Sequence, residues 1–262
     1  MFRWLTLGLM LSLGLAMPAR AWAQGDEIQV YDGGLAPVGV FNLTVHNNFT
    51  PKGIDTPSFP GGVTANRSFN GVPEWALGVT NWFEAGLYLP LYTRDKTLGF
   101  GLDGFKLRTL FAVPHAEDRR FVYGANFEFS INAKRWDEKR FTSEVRPIIG
   151  WHLSPKYDLI INPIVDTAYD GLKNLEFVPS VRFAVNPVER WSVALETYSD
   201  FGRVSDIAPG AEQAHQIFGV IDHTTKSGLE MDFGIGVGVT DASDKVTLKM
   251  ILAKDLNARK TR

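Results

Sequence analysis

The chain has 262 residues with 27 Lys and Arg against 29 Asp and Glu, a formal net charge of −2, which argues against nucleic-acid binding. It has no Cys, so a disulfide framework or thiolate metal site is excluded. Hydrophobic content of 45% with 12% aromatic residues and 25 Gly is not the composition of a disordered chain.

The first residues read as an export signal. Arg3 precedes an apolar run from Trp4 to Met17, and Ala21-Trp22-Ala23 fits the small-x-small cleavage rule. The run is about 14 residues, short of the roughly 20 that a spanning helix needs. Cleavage after Ala23 leaves 24–262 as a single domain. No later segment is long and apolar enough for a second helix, so the expected destinations are periplasm, exterior or outer membrane.

Residues 24–37 read as a short periplasmic lead-in, in which Ile28 and Val30 either plug something or pair locally. Beyond it the chain alternates with period two, the signature of strands with one apolar and one polar face. The first strand is expected at 38–48, followed by a Pro/Gly/Asn-rich loop at 49–71, the longest in the chain. The stretch Glu74–Tyr92 is a hairpin, with Trp75, Leu77, Val79, Ala85, Leu87, Leu89 and Leu91 on one face. Glu74, Ala76, Gly78, Glu84, Gly86 and Tyr88 take the other. Its turn carries Trp82 and Phe83 where a soluble hairpin prefers Asn-Gly, and aromatic rings beside short turns belong at a membrane interface.

Further strands follow at 100–113, 121–133, 141–153, 157–169, 176–186, 191–200, 213–223, 229–240 and 246–256. In the tenth the register is ambiguous, because Ile217, Phe218, Val220 and Ile221 occupy both faces. Twelve strands is an even number, as bacterial single-chain barrels require. With both termini periplasmic, every second connection must be short, and those at 81–83, 114–119, 154–156, 187–190 and 224–228 are. Trp82, Phe83, Trp151, Tyr157 and Trp191 then form one aromatic girdle, with Tyr92, Trp136, Phe141 and Tyr169 near the other rim. The expected fold is an all-β, twelve-stranded antiparallel transmembrane barrel of the outer-membrane type.

Charges on a lipid face cost about 2–4 kcal/mol each at mid-depth, so the barrel must turn them inward. Lumen-lining candidates are Lys106, Arg108, Glu128, Glu144, Arg146, Asp166, Arg182, Glu196 and Lys249. They form either a salt-bridged plug or a polar constriction, with Glu128, Glu144, Arg146 and Arg108 at its centre. Pro147, Pro163 and Pro179 are spaced so that folding about Pro155 and Gly171 brings them to one level. Proline lacks an N–H, so the row is either a set of bulges or a seam for sideways exit into the membrane. Gly234, Gly236 and Gly238 alternate as a strand and leave lumen space beside bulky neighbours. His152-Leu153-Ser154 resembles the His-x-Ser of outer-membrane phospholipases, but it falls at a short turn without an orienting Asn. The His residues lack metal-ligand spacing, so neither metal nor other cofactor is expected.

The stretches 27–48, 71–92, 146–153 (RPIIGWHL) and 238–256 (GVTDASDKVTLKMILAKDL) are similar to exported Gram-negative barrels named for the MetA pathway of phenol degradation. The resemblance implies an outer-membrane barrel and a link to aromatic-compound uptake. The expected function is a passive channel, with no enzymatic activity, for small aromatic or hydrophobic molecules. Its partners are expected to be outer-membrane lipids and the solute, with the protein a monomer. The alternatives are a closed barrel presenting the 49–71 loop and, remotely, a lipid hydrolase.

Overall fold

A computed structural model describes residues 25–257. The export segment expected at 1–23 lies outside them. Twelve strands form one closed antiparallel barrel. They are β1 Phe41–Lys52, β2 Ser68–Thr80, β3 Phe83–Asp95, β4 Gly99–Ala112, β5 Phe121–Asn132 and β6 Phe141–Ser154. Next come β7, in two pieces (Tyr157–Asn162 and Val165–Thr167), and β8, also in two (Glu176–Phe177 and Ser180–Val188). The last four are β9 Trp191–Asp200, β10 Ala214–Thr224, β11 Leu229–Gly238 and β12 Val246–Asp255. Each strand pairs with the next, and Asn42 of β1 pairs with Asp255 of β12 to close the ring. Closure leaves no open sheet edge, the condition a sheet must meet to sit in hydrocarbon.

The alternation resolves into an outer and an inner face. Phe129, Leu107, Leu195 and Ile235 are exposed on the outside, while Glu128, Arg108, Glu196 and Lys249 beside them are buried inside. The apolar core also lies inside the ring. Ile28 and Val30 pack with Ile160, Ala184, Ala194, Tyr198, Phe218 and Val220. Tyr31 joins Leu110, Val113, Val122 and Ile148. These clusters settle the register of β10: Phe218 and Val220 point inward, while Ile221 is half exposed outside. The rings and stems inside explain the glycines opposite, because the Phe218 ring and the Lys249 stem occupy the space where Gly236 and Gly234 would carry a Cβ.

Three boundaries depart from the sequence reading. β1 and β2 extend well into the stretch expected to be loop, pairing Phe49 with Phe69 and Thr50 with Ser68, so the connection shrinks to 53–67. A ladder needs only backbone groups, and the polar residues and Pro51 that suggested a loop are tolerated where strands outrun the apolar band. β1 also begins at Phe41 rather than 38. Leu91 faces the lumen instead of the outside, because the β3–β4 register shifts between Tyr88 and Leu91, and the β2–β3 register between Tyr88 and Tyr92, which reverses the alternation beyond Pro90.

The short turns 81–82, 155–156, 189–190 and 225–228, the eight-residue connection 113–120 and the outer ends of β1 and β12 share one end of the barrel, the turn face. Aromatic contacts cluster there: Phe83 stacks on Phe111 at 4.9 Å, Phe121 meets Trp151 at 5.6 Å, and Trp191 stacks on His223 at 4.1 Å. Trp82 stacks on Phe111 at 5.9 Å and Tyr157 on Phe183 at 6.1 Å. The connections 53–67, 133–140, 168–175, 201–213 and 239–245, with the tight turn 96–98, lie at the opposite end, the loop face. Trp136 sits in one of them, lining a cavity rather than the outer wall, whereas Phe141 and Tyr169 are exposed.

Candidate functional site

The lumen is filled at mid-height by the chain's own N-terminal segment. Residues 25–37, the strap, run up the inside from the turn face, where the Gly39 N–H donates to the Gly78 carbonyl at 2.7 Å. Gly25 reaches Asn48 and Asn70, near the loop-face ends of β1 and β2. Gly33 has φ +87°, a left-handed conformation that favours glycine, with the Val122 side chain against it.

Eight of the nine sequence candidates fall into two groups. The first is held by β4, β5 and β6. Lys106 contacts Glu128 at 3.2 Å and Asp26 of the strap at 2.7 Å. Arg108 contacts Glu74 at 2.7 Å and also Glu84. Arg146 holds Glu144 through two hydrogen bonds of 2.6 and 3.1 Å. The second group is held by β8 to β12. Lys249 contacts Glu196 at 2.7 Å and Asp232 at 3.2 Å, and Arg182 pairs with Glu196 and Asp222. The Tyr198 hydroxyl donates to Glu196 at 2.6 Å. Asp166 stands apart, with a buried Oδ1 that has no hydrogen-bond partner.

Register explains that isolation. Glu128 pairs with Glu144, Glu144 with Asp166, and Asp166 with Glu176, so four carboxylates line up at one level across β5 to β8. Lys106 and Arg146 neutralise the first two. The proline row lies just toward the turn face. Ile149 pairs with Ile161 and Val145 with Val165, which sets Pro147 opposite Pro163. Asn162 pairs with Ser180 and Val165 with Phe177, which sets Pro163 opposite Pro179. β7 and β8 are each interrupted at that level.

Sequence reading missed the strap's part in the site. Asp26, Glu27, Tyr31, His46, Glu74 and Tyr88 complete the first group, with His46 at 3.3 Å from Glu74 and the Tyr31 and Tyr88 hydroxyls 2.5 Å apart. The Tyr31 ring lies 4.6 Å from the Arg146 guanidinium and 5.6 Å from that of Arg108. Asp26-Glu27 followed by apolar residues two apart was the available signal, but it reads equally as a stray strand.

Two cavities open on the loop face, one on each side of Gly25-Asp26. One, of about 330 Å³, is polar and is lined by Lys106, Glu128, Glu144, Asp166, Trp136 and Phe59. The other, of about 150 Å³, is lined by Ile28, Ile54, Val178, Tyr198, Ala214 and Ala242. On the turn face a vestibule of about 640 Å³ surrounds residues 29–37. In the loops, burial pushes the carboxyls of Asp137 and Asp244 up, against the pull of the Lys139 and Ile54 N–H groups.

The His152-Ser154 pair does not assemble hydrolase geometry. His152 Nδ1 sits 2.5 Å from Asp158, but Nε2 lies 3.2 Å from the Ala116 carbonyl, which can only accept, so that nitrogen donates and cannot take the Ser154 proton. His115, Glu117 and Asp118 bring ligand atoms within 4.8 Å of one another on an exposed turn, a grouping that sequence spacing did not suggest.

No family description and no curated protein matches the chain. Solved structures do. The COG4313 outer membrane channel from Pseudomonas putida F1 has a TM-score of 0.59 at 12% identity, over 88% of this chain and all of that one. The NanC porin has a TM-score of 0.53 at 8% identity, over 83% of this chain and all of that one. These likenesses establish the fold.

Proposed function

We propose that the chain is an outer-membrane barrel that passively takes up small aromatic or hydrophobic molecules, with the turn face periplasmic and the loop face external. The observation that carries this reading is the apolar cavity of about 150 Å³, which leads from the loop face to Val178, beside Pro179. The strap bars a straight path, while the interrupted strands β7 and β8 offer a sideways one at Pro147, Pro163 and Pro179. A solute entering from outside meets Ile54, Tyr198 and Ala242 and leaves between the pieces of those strands into lipid. The resemblance to phenol-degradation barrels favours the same solute class, and the likeness to outer-membrane channel folds favours passive passage. Lumen-lining Lys106, Arg108, Glu128, Glu144, Arg146, Asp166, Arg182, Glu196 and Lys249 keep water and ions from leaking past the strap.

A closed, surface-presenting barrel is the second reading, favoured by the paired charges around the strap. Uptake of a fluorescent apolar aromatic into lipid vesicles carrying the purified protein separates the two. Accelerated transfer into the bilayer with little ion conductance is expected; no acceleration over empty vesicles would leave the closed barrel.

A further inference from the structure

The strap sits in the lumen as a bound peptide would. Apart from a single bridge at Val38 and Gly78, residues 25–38 form no ladder with the wall. Wall side chains address their main chain instead. Asn162 accepts from the Tyr31 N–H at 2.7 Å and donates to the Tyr31 carbonyl at 2.9 Å, reading both backbone groups of one residue. Asn70 donates to the Gly25 carbonyl at 2.6 Å, Asn48 to that of Asp26 at 3.1 Å, and Arg146 to that of Gln29 at 2.9 Å. Lys249 reaches the Ile28 carbonyl at 3.3 Å, and Glu84 accepts from the Ala36 N–H at 2.6 Å. Contacts of this kind do not depend on side-chain identity, so any extended peptide can satisfy them.

Side-chain subsites add selectivity. Asp26 meets Lys106 at 2.7 Å, Ile28 and Val30 enter the apolar cluster, and Tyr31 lies between two guanidinium groups with its hydroxyl on Tyr88. Glu27 is held least well: its carboxylate has no hydrogen-bond partner, and Arg146 Nη1 is 4.0 Å away.

We propose that the lumen is a binding site for short extended peptides, acidic at the N-terminal end and alternating apolar and aromatic beyond it, with the strap as its tethered occupant. The site rests on the uptake reading only for how a peptide reaches it. The strap can yield because it is tied to the wall's backbone only around Gly78, passes through Gly33-Gly34, and borders the turn-face vestibule.

The test uses the full chain carrying Ile28→Asp and Val30→Asp, which loosens the strap without removing a wall residue. The probe is a fluorescently labelled peptide GDEIQVYDGG, the sequence of residues 25–34, against a scramble of the same composition. Fluorescence anisotropy in detergent is expected to show the peptide binding about tenfold or more tighter to the variant than to wild type, because the tethered competitor is gone. Adding Asn162→Ala is expected to weaken it about tenfold through loss of two hydrogen bonds. Equal binding of the scramble, or equal binding to wild type and variant, would overturn the proposal. Should the double variant not fold, the chain lacking 25–36 is the second receptor, with the same outcomes. Peptide binding without accelerated aromatic transfer would sink the uptake reading alone; transfer without peptide binding would sink this site alone.

Discussion

The wall has two kinds of sector, one with an unbroken ladder and one with interrupted strands. From β5 to β6 the ladder runs without a break through eleven rungs, from Phe121–Trp151 to Ile131–Phe141. Its inward charges are matched pair by pair: Lys106 to Glu128, Arg146 to Glu144. From β6 across β7 to β8 the strands are broken twice near the same lumen level, and Asp166 keeps a buried Oδ1 with no hydrogen-bond partner among the described residues. Strand regularity and charge pairing therefore weaken together, at one height and in one sector, where the Val178 N–H still donates to the Ile164 carbonyl at 3.0 Å. A wall that had to be sealed everywhere would gain from a β-branched residue at 163 and a cation opposite 166.

The largest consequence lies in the intact sector. Arg146→Leu removes two hydrogen bonds to Glu144, one to the strap carbonyl of Gln29, and the cation nearest Glu27. Taking one partner from a buried pair leaves an uncompensated charge, at a cost of about 3–5 kcal/mol. Denaturant unfolding in lipid vesicles measures it. A loss below about 1 kcal/mol would mean that the lumen around Arg146 is already solvated, and the contrast between sectors would be one of backbone alone.

The interrupted sector is tested at the backbone. Pro163→Val with Pro179→Val restores two N–H groups, so hydrogen exchange at 161–166 and 177–181 is expected to slow toward that of β5 and β6. Transfer of an aromatic probe into the bilayer is expected to fall several-fold in the same protein. Unchanged exchange would show that the break at this height has a cause other than the missing donors.

Much of this architecture was legible in the residues because alternation is a local signal. Phe129 and Glu128 differ by one position and by the whole thickness of the wall, and a strand's period reports that directly. The proline row was legible for the same reason, since antiparallel register is arithmetic once turns are placed at Pro155 and Gly171. The strap was not. Glu27, Ile28, Gln29, Val30 and Tyr31 alternate as a strand does, yet their polar partners are side chains on separate wall strands, Tyr88 on β3, Arg146 on β6, Asn162 on β7 and Lys249 on β12. No periodicity encodes such partners. Leu91 was misplaced because a bulge at Leu89-Pro90 adds one residue on one strand, and counting by two cannot see it. The ends of the stretch 49–71 carry Pro and Asn, which sequence alone cannot tell from turn chemistry, although a ladder beyond the apolar band can hold both.

The finest difference between the sectors is the worth of single carboxylates. Glu144 and Asp166 face each other across neighbouring strands at the same level, one bound by Arg146 and the other with a buried oxygen that nothing satisfies. Like charges directly opposite each other are destabilising, and an unsatisfied buried oxygen adds to that cost. Asp166→Asn removes the repulsion, keeps the shape and offers a donor toward Glu144 or Glu176. Stability is therefore expected to hold within about 0.5 kcal/mol or to rise, whereas Glu144→Gln strips Arg146 of its paired anion and lowers it. Unfolding curves of the two variants side by side decide the matter: equal losses would mean that the carboxylate row acts as one charged ring, and that the contrast at the proline level is one of backbone and not of the lumen's electrostatics.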